Sequence, residues 1–414
     1  MRVLAVADSD SYLKWAACLL GDLPEGCVTE LVVVRTPIAP SPEQIAAAVR
    51  GTRGEGRSGR QGGGPDEGPD EGPDEGQDGG RPPVLSARSV RRLAERTKPD
   101  VILVACTGPV VDVLVAEVLA GLRPRPVFVS GLPGISVPAT EKAWLFRSGC
   151  DLFVVHSERE VTEFAAIAGR LGGGGVVGLA RLPFLRPEAG MGSGNRVVFA
   201  TQAKVPRERE RRERILLSLA ELAEHRPDLD VVVKLRALEG ERQTHNERHH
   251  YQRLWREMGE PGRLTFAAGS MQEQLERAAG FVTVSSTAAL EAIAMGVPSL
   301  VLRDFGVSAE MINLVFEGSD LLGTMEELAK GDFRTASPAW CAANYFHPAE
   351  RDSWTGLLAG LVAGPRTPAR SLLDGPGHAA ARRRARLRVE VPPKMLRAGY
   401  RAKRRMRRYL RSLT

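Results

Sequence analysis

Residues 281–302, FVTVSSTAALEAIAMGVPSLVL, read as a strand, a hydroxyl turn, a helix, a tight turn and a second strand. The short apolar run 281–284 stops at Ser285, Ser286 and Thr287, residue types that cap helix N-termini. The following AALEAIAM consists of strong helix formers, Gly296 and Pro298 end it, and SLVL has the composition of a strand buried on both faces. Such a string fits a right-handed parallel βαβ unit, which requires an open sheet covered by helices. The first backbone N–H groups of the helix then look out from the carboxyl edge of the sheet, a geometry that suits anions. Glu291 lies four residues after Thr287, on the same helix face and one turn deeper, where a carboxylate could hold ribose hydroxyls while the turn holds phosphate. A plain helix cap and a solvated glutamate are the alternative for the same residues.

Strand-like and helix-like runs alternate through the rest of the chain. RVLAVAD, VTELVVVRT, the strand in KPDVILVAC, PVFVSG and CDLFVVHS are separated by helical patterns, and the alternation starts again at RVVFATQ and DLDVVVKLR. The expected fold class is therefore α/β, with two Rossmann-like doubly wound domains. Residues 1–185 form the first domain, with 186–195 as linker and 196–348 as the second domain. A C-terminal helix and linker occupy 349–378, and 379–414 form a basic tail. Residues 52–83 are almost entirely Gly, Pro, Asp, Glu, Gln and Arg and contain GPDE three times, too little apolar surface to offset ordering, so a disordered insert is expected there.

The net charge of +7 is unevenly spread. The tail holds twelve Arg and two Lys against one Glu, a net +13, which leaves −6 for the remainder. Met395, Leu396, Tyr400, Met406, Tyr409, Leu410 and Leu413 interleave with those charges at near-helical spacing, a pattern that suits an anionic membrane surface. A disordered solubilising extension is the alternative, and nucleic acid is a less favoured partner. No run of about 18 apolar residues is present and the N-terminus enters a strand directly, so a cytoplasmic protein, peripheral on the inner face of the plasma membrane, is expected. Five scattered cysteines without a CxxC pair point to neither disulfides nor zinc, and His245, His249 and His250 read as a polar loop. No metal and no cofactor is expected.

Residues that directly follow strands are the candidates for chemistry. Thr201 and Gln202 follow RVVFA, and Lys234 and Arg236 stand at the end of DVVVKLR, where cations would neutralise phosphate. In the first half, Asp8 and Asp10 of ADSDSY are candidates for a catalytic base, with a helix cap as the competing role. Gly134, in SGLPGISVPAT, would allow close backbone approach to a ligand. His347, in NYFHP, is an additional candidate whose simpler role is structural. The GxGxxG fingerprint of dehydrogenases is missing.

The string S(S/T)…E…GVP before a buried strand is similar to the donor half of GT-B glycosyltransferases and their relatives, among them bacterial sialyl- and polysialyltransferases and UDP-N-acetylglucosamine 2-epimerases. Together with GLPGISVPAT, TQAKVPRER, VVVKLRALEGERQTH and NYFHP it resembles an actinobacterial family of GT-B-type glycosyltransferases over most of the chain. The resemblance implies metal-independent sugar transfer from a nucleotide-sugar donor, CMP- or UDP-linked, to a cell-surface glycan, with a sialic-acid-like sugar as one form of the donor. The His-Pro that polysialyltransferases carry at the strand end is absent from KLRA, where Lys234 keeps the cation. Two other functions are compatible with the same residues: a 2-epimerase-like enzyme, and a non-catalytic scaffold docked by its tail.

Overall fold

The computed structural model describes residues 1–53, 81–182, 185, 194–236, 247–365, 367–391 and 395–396. The first half runs β1 (Arg2–Ala7), α1 (Asp10–Gly21), β2 (Val28–Val34), α2 (Pro42–Arg53), β3 (Val84–Leu85), α3 (Ala87–Thr97), β4 (Val101–Ala105), α4 (Gly108–Val113), β5 (Val127–Gly131), α5 (Glu141–Leu145), β6 (Leu152–Val155), α6 (Glu158–Leu171) and β7 (Val176–Leu179). Its strands form one parallel sheet of order β3-β2-β1-β4-β5-β6-β7. Side chains alternate across it. Leu4, Val6, Ile102 and Val104 enter one core, and Val3, Ala5, Val101 and Leu103 enter the core on the other face. Helices cover both faces, which explains why these strands are continuously apolar.

The second half continues with β8 (Arg196–Ala200), α7 (Arg209–His225), β9 (Asp230–Lys234), α8 (Tyr251–Glu257), β10 (Thr265–Ala267), α9 (Met271–Leu275), β11 (Ala278–Thr283), α10 (Ala288–Ala294), β12 (Ser299–Leu302), β13 (Leu322–Gly323), α11 (Met325–Lys330) and α12 (Pro338–Ala343). Its sheet, also parallel, has the order β10-β9-β8-β11-β12-β13. Phe199 and Val282 point into one core, and Val198 and Phe281 into the other. The doubly wound α/β class expected from the alternation is the observed one, and both strand orders reverse direction once, between β1 and β4 and between β8 and β11. The crevice beyond the carboxyl ends at such a reversal is where open sheets of this kind take ligands.

After α12 the chain returns to the first half. The Tyr345 hydroxyl donates to Glu160 at 2.6 Å, the Ser353 hydroxyl accepts from the Leu179 amide at 3.0 Å, and α13 (Trp354–Ala363) buries Trp354 and Leu358 in the first-sheet core.

Three expectations fall largely on residues outside those described: 54–80 of the insert, 186–193 of the linker and 397–414 of the tail. The ends of the insert are structured, because α2 continues to Arg53 and the Pro83 carbonyl accepts from the Val33 amide ahead of β3. The start of the tail is structured too. α14 (Ala379–Glu390) buries Ala385 and Val389 in the first core, and Arg382 forms two 2.8 Å bonds with the buried Asp112. Two small apolar residues four apart and one paired arginine suffice to seat this helix, so the basic segment begins as a helix packed on the first domain. Cys106 and Cys150 are buried, Cys18, Cys27 and Cys341 are half-buried, and none of the five forms a disulfide.

Candidate functional site

A cavity of about 320 Å³ opens at the β8/β11 reversal. Thr201, Gln202, Lys234, Arg236, Ser285, Ser286 and Thr287 all line it, so seven residues singled out at three strand ends meet in one place. The meeting follows from the register, because Ala200 pairs with both Lys234 and Thr283. Their local geometry differs from expectation in two respects. Thr201 is 4 % exposed and its hydroxyl donates to the Lys234 carbonyl at 3.0 Å, so it braces the strand ends. The residue that caps α10 is Ser286, whose Oγ accepts from the Ala288 amide at 3.2 Å; Thr287 has helical φ and ψ and makes no side-chain cap. α10 has only 7 residues, so its dipole is modest and the attraction for an anion rests on Lys234 and Arg236.

Ser285 is the sharpest local signal. It is 5 % exposed, lines the cavity, and its Oγ has no hydrogen-bond partner. A buried hydroxyl without a partner costs about 1–3 kcal/mol, which a bound acceptor oxygen would recover. Lys234 is 6 % exposed and its ammonium donates to the Leu235 carbonyl at 2.8 Å. Burial holds its pKa below the usual lysine value, Glu291 pulls it back up, and Arg236 lowers it further.

Glu291 does not line the cavity; it lies half-buried one turn along α10. Burial pushes its carboxyl up to about 7, against smaller opposing pulls from Lys14 of the first domain and Lys234 of its own. Because the folded chain holds this proton more tightly than the unfolded one, the stabilising contribution is complete below about pH 4.5 and is lost as pH rises through about 7. Glu291→Gln, which keeps the shape and removes the buried charge, is therefore expected to stabilise the ligand-free protein at pH 8 by about 2 kcal/mol more than at pH 5. Melting curves at the two pH values check this, and an equal gain at both would show that burial does not govern the carboxyl.

Two residues that shape the cavity gave little sequence signal. Arg212, 1 % exposed, donates to the carbonyls of Gln202, Ala203, Pro206 and His249 and to the Glu247 carboxylate, and lies 4.7 Å from the Tyr251 ring. It thereby fixes the loop that carries Gln202, yet it stands among similar arginines in RERERRER. Ile312 lines the cavity with φ at +60°, a conformation costly for a β-branched residue. The neighbouring Asn313 holds this turn by accepting from the Ser308 amide and donating to the Gly306 carbonyl.

The first domain supplies the facing wall. Ile135 lines the same cavity, and a Cβ added to Gly134 would lie 3.2 Å from the Thr287 methyl. Gly134 thus permits close approach to the hydroxyl turn of the second domain, where close approach to a ligand was expected. Two carboxylates of α6 pin this loop: Glu160 accepts from the Ser136 amide and Glu163 from the Ala139 amide, each at 2.7 Å.

The remaining candidates separate clearly. Asp8 is 0 % exposed and its Oδ2 accepts from both the amide and the hydroxyl of Thr107, at 2.9 and 2.5 Å. Burial raises its pKa despite those bonds. It braces the β1/β4 reversal, and as it stands it offers no surface to an acceptor. Asp10 opens α1 with its side chain 27 % exposed and paired with Lys14 at 2.9 Å, on the side where Lys14 meets the field of Glu291. The i,i+4 spacing of Asp10 and Lys14 was the signal that could have identified Lys14. His347 is 3 % exposed, contacts Asp352 at 2.9 Å and does not line the cavity, so its place is in the returning segment. Among the described residues no group of three or more His, Cys, Asp or Glu could hold a metal ion, and no helix is long and apolar enough to cross a membrane.

Two doubly wound parallel-sheet domains, with a cavity at one reversal point and a loop of the other domain against it, define a fold of the GT-B type. The family model described as "Putative glycosyltransferase (DUF6716)" matches residues 3–361, and the chain belongs to that family. No curated protein sequence matches the chain. Among solved structures, the UDP-N-acetylglucosamine 2-epimerase of Neisseria meningitidis bound to UDP-N-acetylglucosamine is similar at a TM-score of 0.52 and 12% identity, covering 88% of this chain and 99% of that one. The enzyme of the same name from Methanocaldococcus jannaschii is similar at 0.51 and 11%, covering 88% and 100%.

Proposed function

We propose that the protein transfers a sugar from a nucleotide donor, bound at the β8/β11 reversal, to a hydroxyl of a glycan acceptor held by the first domain. One observation carries this: Lys234 and Arg236 meet the partnerless Ser285 hydroxyl in a single cavity at the point where doubly wound sheets take nucleotides. The acceptor oxygen attacks the anomeric carbon, the bond to the donor phosphate breaks, and the acceptor proton passes to Asp10. Asp10 is preferred to Asp8 because it has exposed surface. The departing phosphate collects its charge against Lys234 and Arg236, which provide fixed electrostatic stabilisation without a metal ion. Glu291, one turn deeper and outside the cavity lining, acts on the donor site through its field on Lys234 and not as a ribose contact. A UDP-linked donor is supported by the ligand of the Neisseria relative. A CMP-linked, sialic-acid-like donor is what the sequence resemblance implies.

Melting curves with CMP, CDP, UDP and GDP test the donor, since a ligand that binds the folded chain alone raises its stability. A rise of several degrees with one of these at millimolar concentration is expected; no rise with any of them contradicts nucleotide binding. Incubation with UDP-N-acetylglucosamine alone separates the two enzyme classes, because an epimerase turns over without an acceptor and a transferase of this kind yields no epimer.

A further inference from the structure

The first domain carries a cavity of its own, again about 320 Å³, between α4, α5 and α14. Leu145, Phe146, Leu373 and Ala385 give it an apolar floor. Lys142, Arg384 and Arg388 stand around it. Arg382 also borders it but is committed to Asp112 and Asp374, whereas no carboxylate pairs with Lys142, Arg384 or Arg388 among the described residues. Arg384 and Arg388 are four apart on one helix face, where like charges repel. Leu387 between them is 46% exposed, and Met395 beyond is 65% exposed.

Unpaired cations around an apolar recess match a ligand with an anionic head and a hydrocarbon chain. A nucleic acid would use the charges and leave the recess empty. We propose that this cavity binds an anionic phospholipid of a membrane surface, its phosphate between Lys142, Arg384 and Arg388 and one acyl chain against Phe146 and Leu373. The site lies near the β1/β4 reversal of the first sheet, since Pro109 of α4 lines it. The Phe146 ring occupies the space where a Gly108 Cβ would lie, at 2.6 Å, and the preceding Thr107 is the residue bonded to Asp8. A lipid against Phe146 thus lies one side chain away from the turn that holds Asp8.

Flotation of the full chain with phosphatidylcholine vesicles, with and without phosphatidylglycerol, tests the proposal. Binding is expected only with phosphatidylglycerol. The Lys142→Ala, Arg384→Ala, Arg388→Ala triple variant should lose about 100-fold in affinity. Ala381→Trp, which fills the cavity from an exposed helix position and keeps every charge, should also weaken binding. Both variants should melt within a degree or two of the wild type, because the changed residues are exposed. Wild-type affinity in the triple variant would assign binding to the other arginines of the chain and overturn the site. Wild-type affinity in Ala381→Trp would show charge acting without the cavity and overturn the acyl-chain subsite. Stabilisation by inorganic phosphate equal to that by a short-chain phosphatidylglycerol would reduce the site to a phosphate site, and a DNA duplex that displaces the vesicles only when the three cations are intact would assign it to nucleic acid.

Discussion

Calorimetric titration of the Lys234→Met, Ser285→Ala double variant is expected to show nucleotide affinity at least about 100-fold below that of the wild type. Each change removes a hydrogen bond to phosphate, and bonds to charged groups contribute about 1.5–3 kcal/mol apiece. The effect is specific to the cavity for a structural reason. Lys234 is 6 % exposed and Ser285 5 % exposed, so both present their polar atoms to the cavity from fixed positions. Methionine fills the lysine stem but gives up the bond to the Leu235 carbonyl, while alanine removes a buried hydroxyl that has no partner in the ligand-free protein, so the two effects on folding oppose each other and the net change should be small. Arg236, which is exposed, should contribute less: Arg236→Ala is expected to weaken binding no more than about tenfold.

Arg212→Met should have the largest effect on stability, a loss of about 3–5 kcal/mol. Arg212 and Glu247 are 1% and 3% exposed at the side chain, so removing the cation leaves a buried carboxylate alone and frees four carbonyls in the turns beside the β8/β11 cavity. The melting temperature should fall by roughly 10 °C. Lysine should not restore it, because a single ammonium cannot reproduce the planar fork that reaches five acceptors. Arg211→Met is the natural comparison. Arg211 is 40% exposed, pairs with Glu208 at 3.3 Å and lies over the Phe305 ring, so its loss should cost under about 1 kcal/mol. Equal losses for Arg211 and Arg212 would mean that the buried network does not organise the loop.

These contrasts show where sequence reasoning reaches and where it stops. Parallel strands covered on both faces are continuous apolar runs, so their carboxyl ends are visible as the points where those runs break. Thr201, Lys234 and Ser285 were therefore legible, since each directly follows or closes such a run, and parallel register brings neighbouring ends together. Residues whose role depends on the other domain were not. Ile135 acquires its role from the approach of the two halves, which no local pattern encodes, and so does the reach of Lys14 towards Glu291, although the pairing of Lys14 with Asp10 is visible in their i,i+4 spacing. Asp8 and Asp10 are two residues apart in a polar turn and looked equivalent. The Thr107 turn covers the first and leaves the second partly open, a consequence of strand pairing between β1 and β4. The return of the basic segment was hidden for the opposite reason: many charges surround the two small residues, Ala385 and Val389, that seat it.

Hydrogen–deuterium exchange of the wild-type chain, with and without the nucleotide that raises its melting temperature most, locates the donor directly. Protection should fall together on residues 201–204, 234–236 and 285–288, and on 134–136 of the facing loop. Protection confined to the carboxyl ends of β1 and β4, or none at the hydroxyl turn, would contradict a donor site at the second reversal.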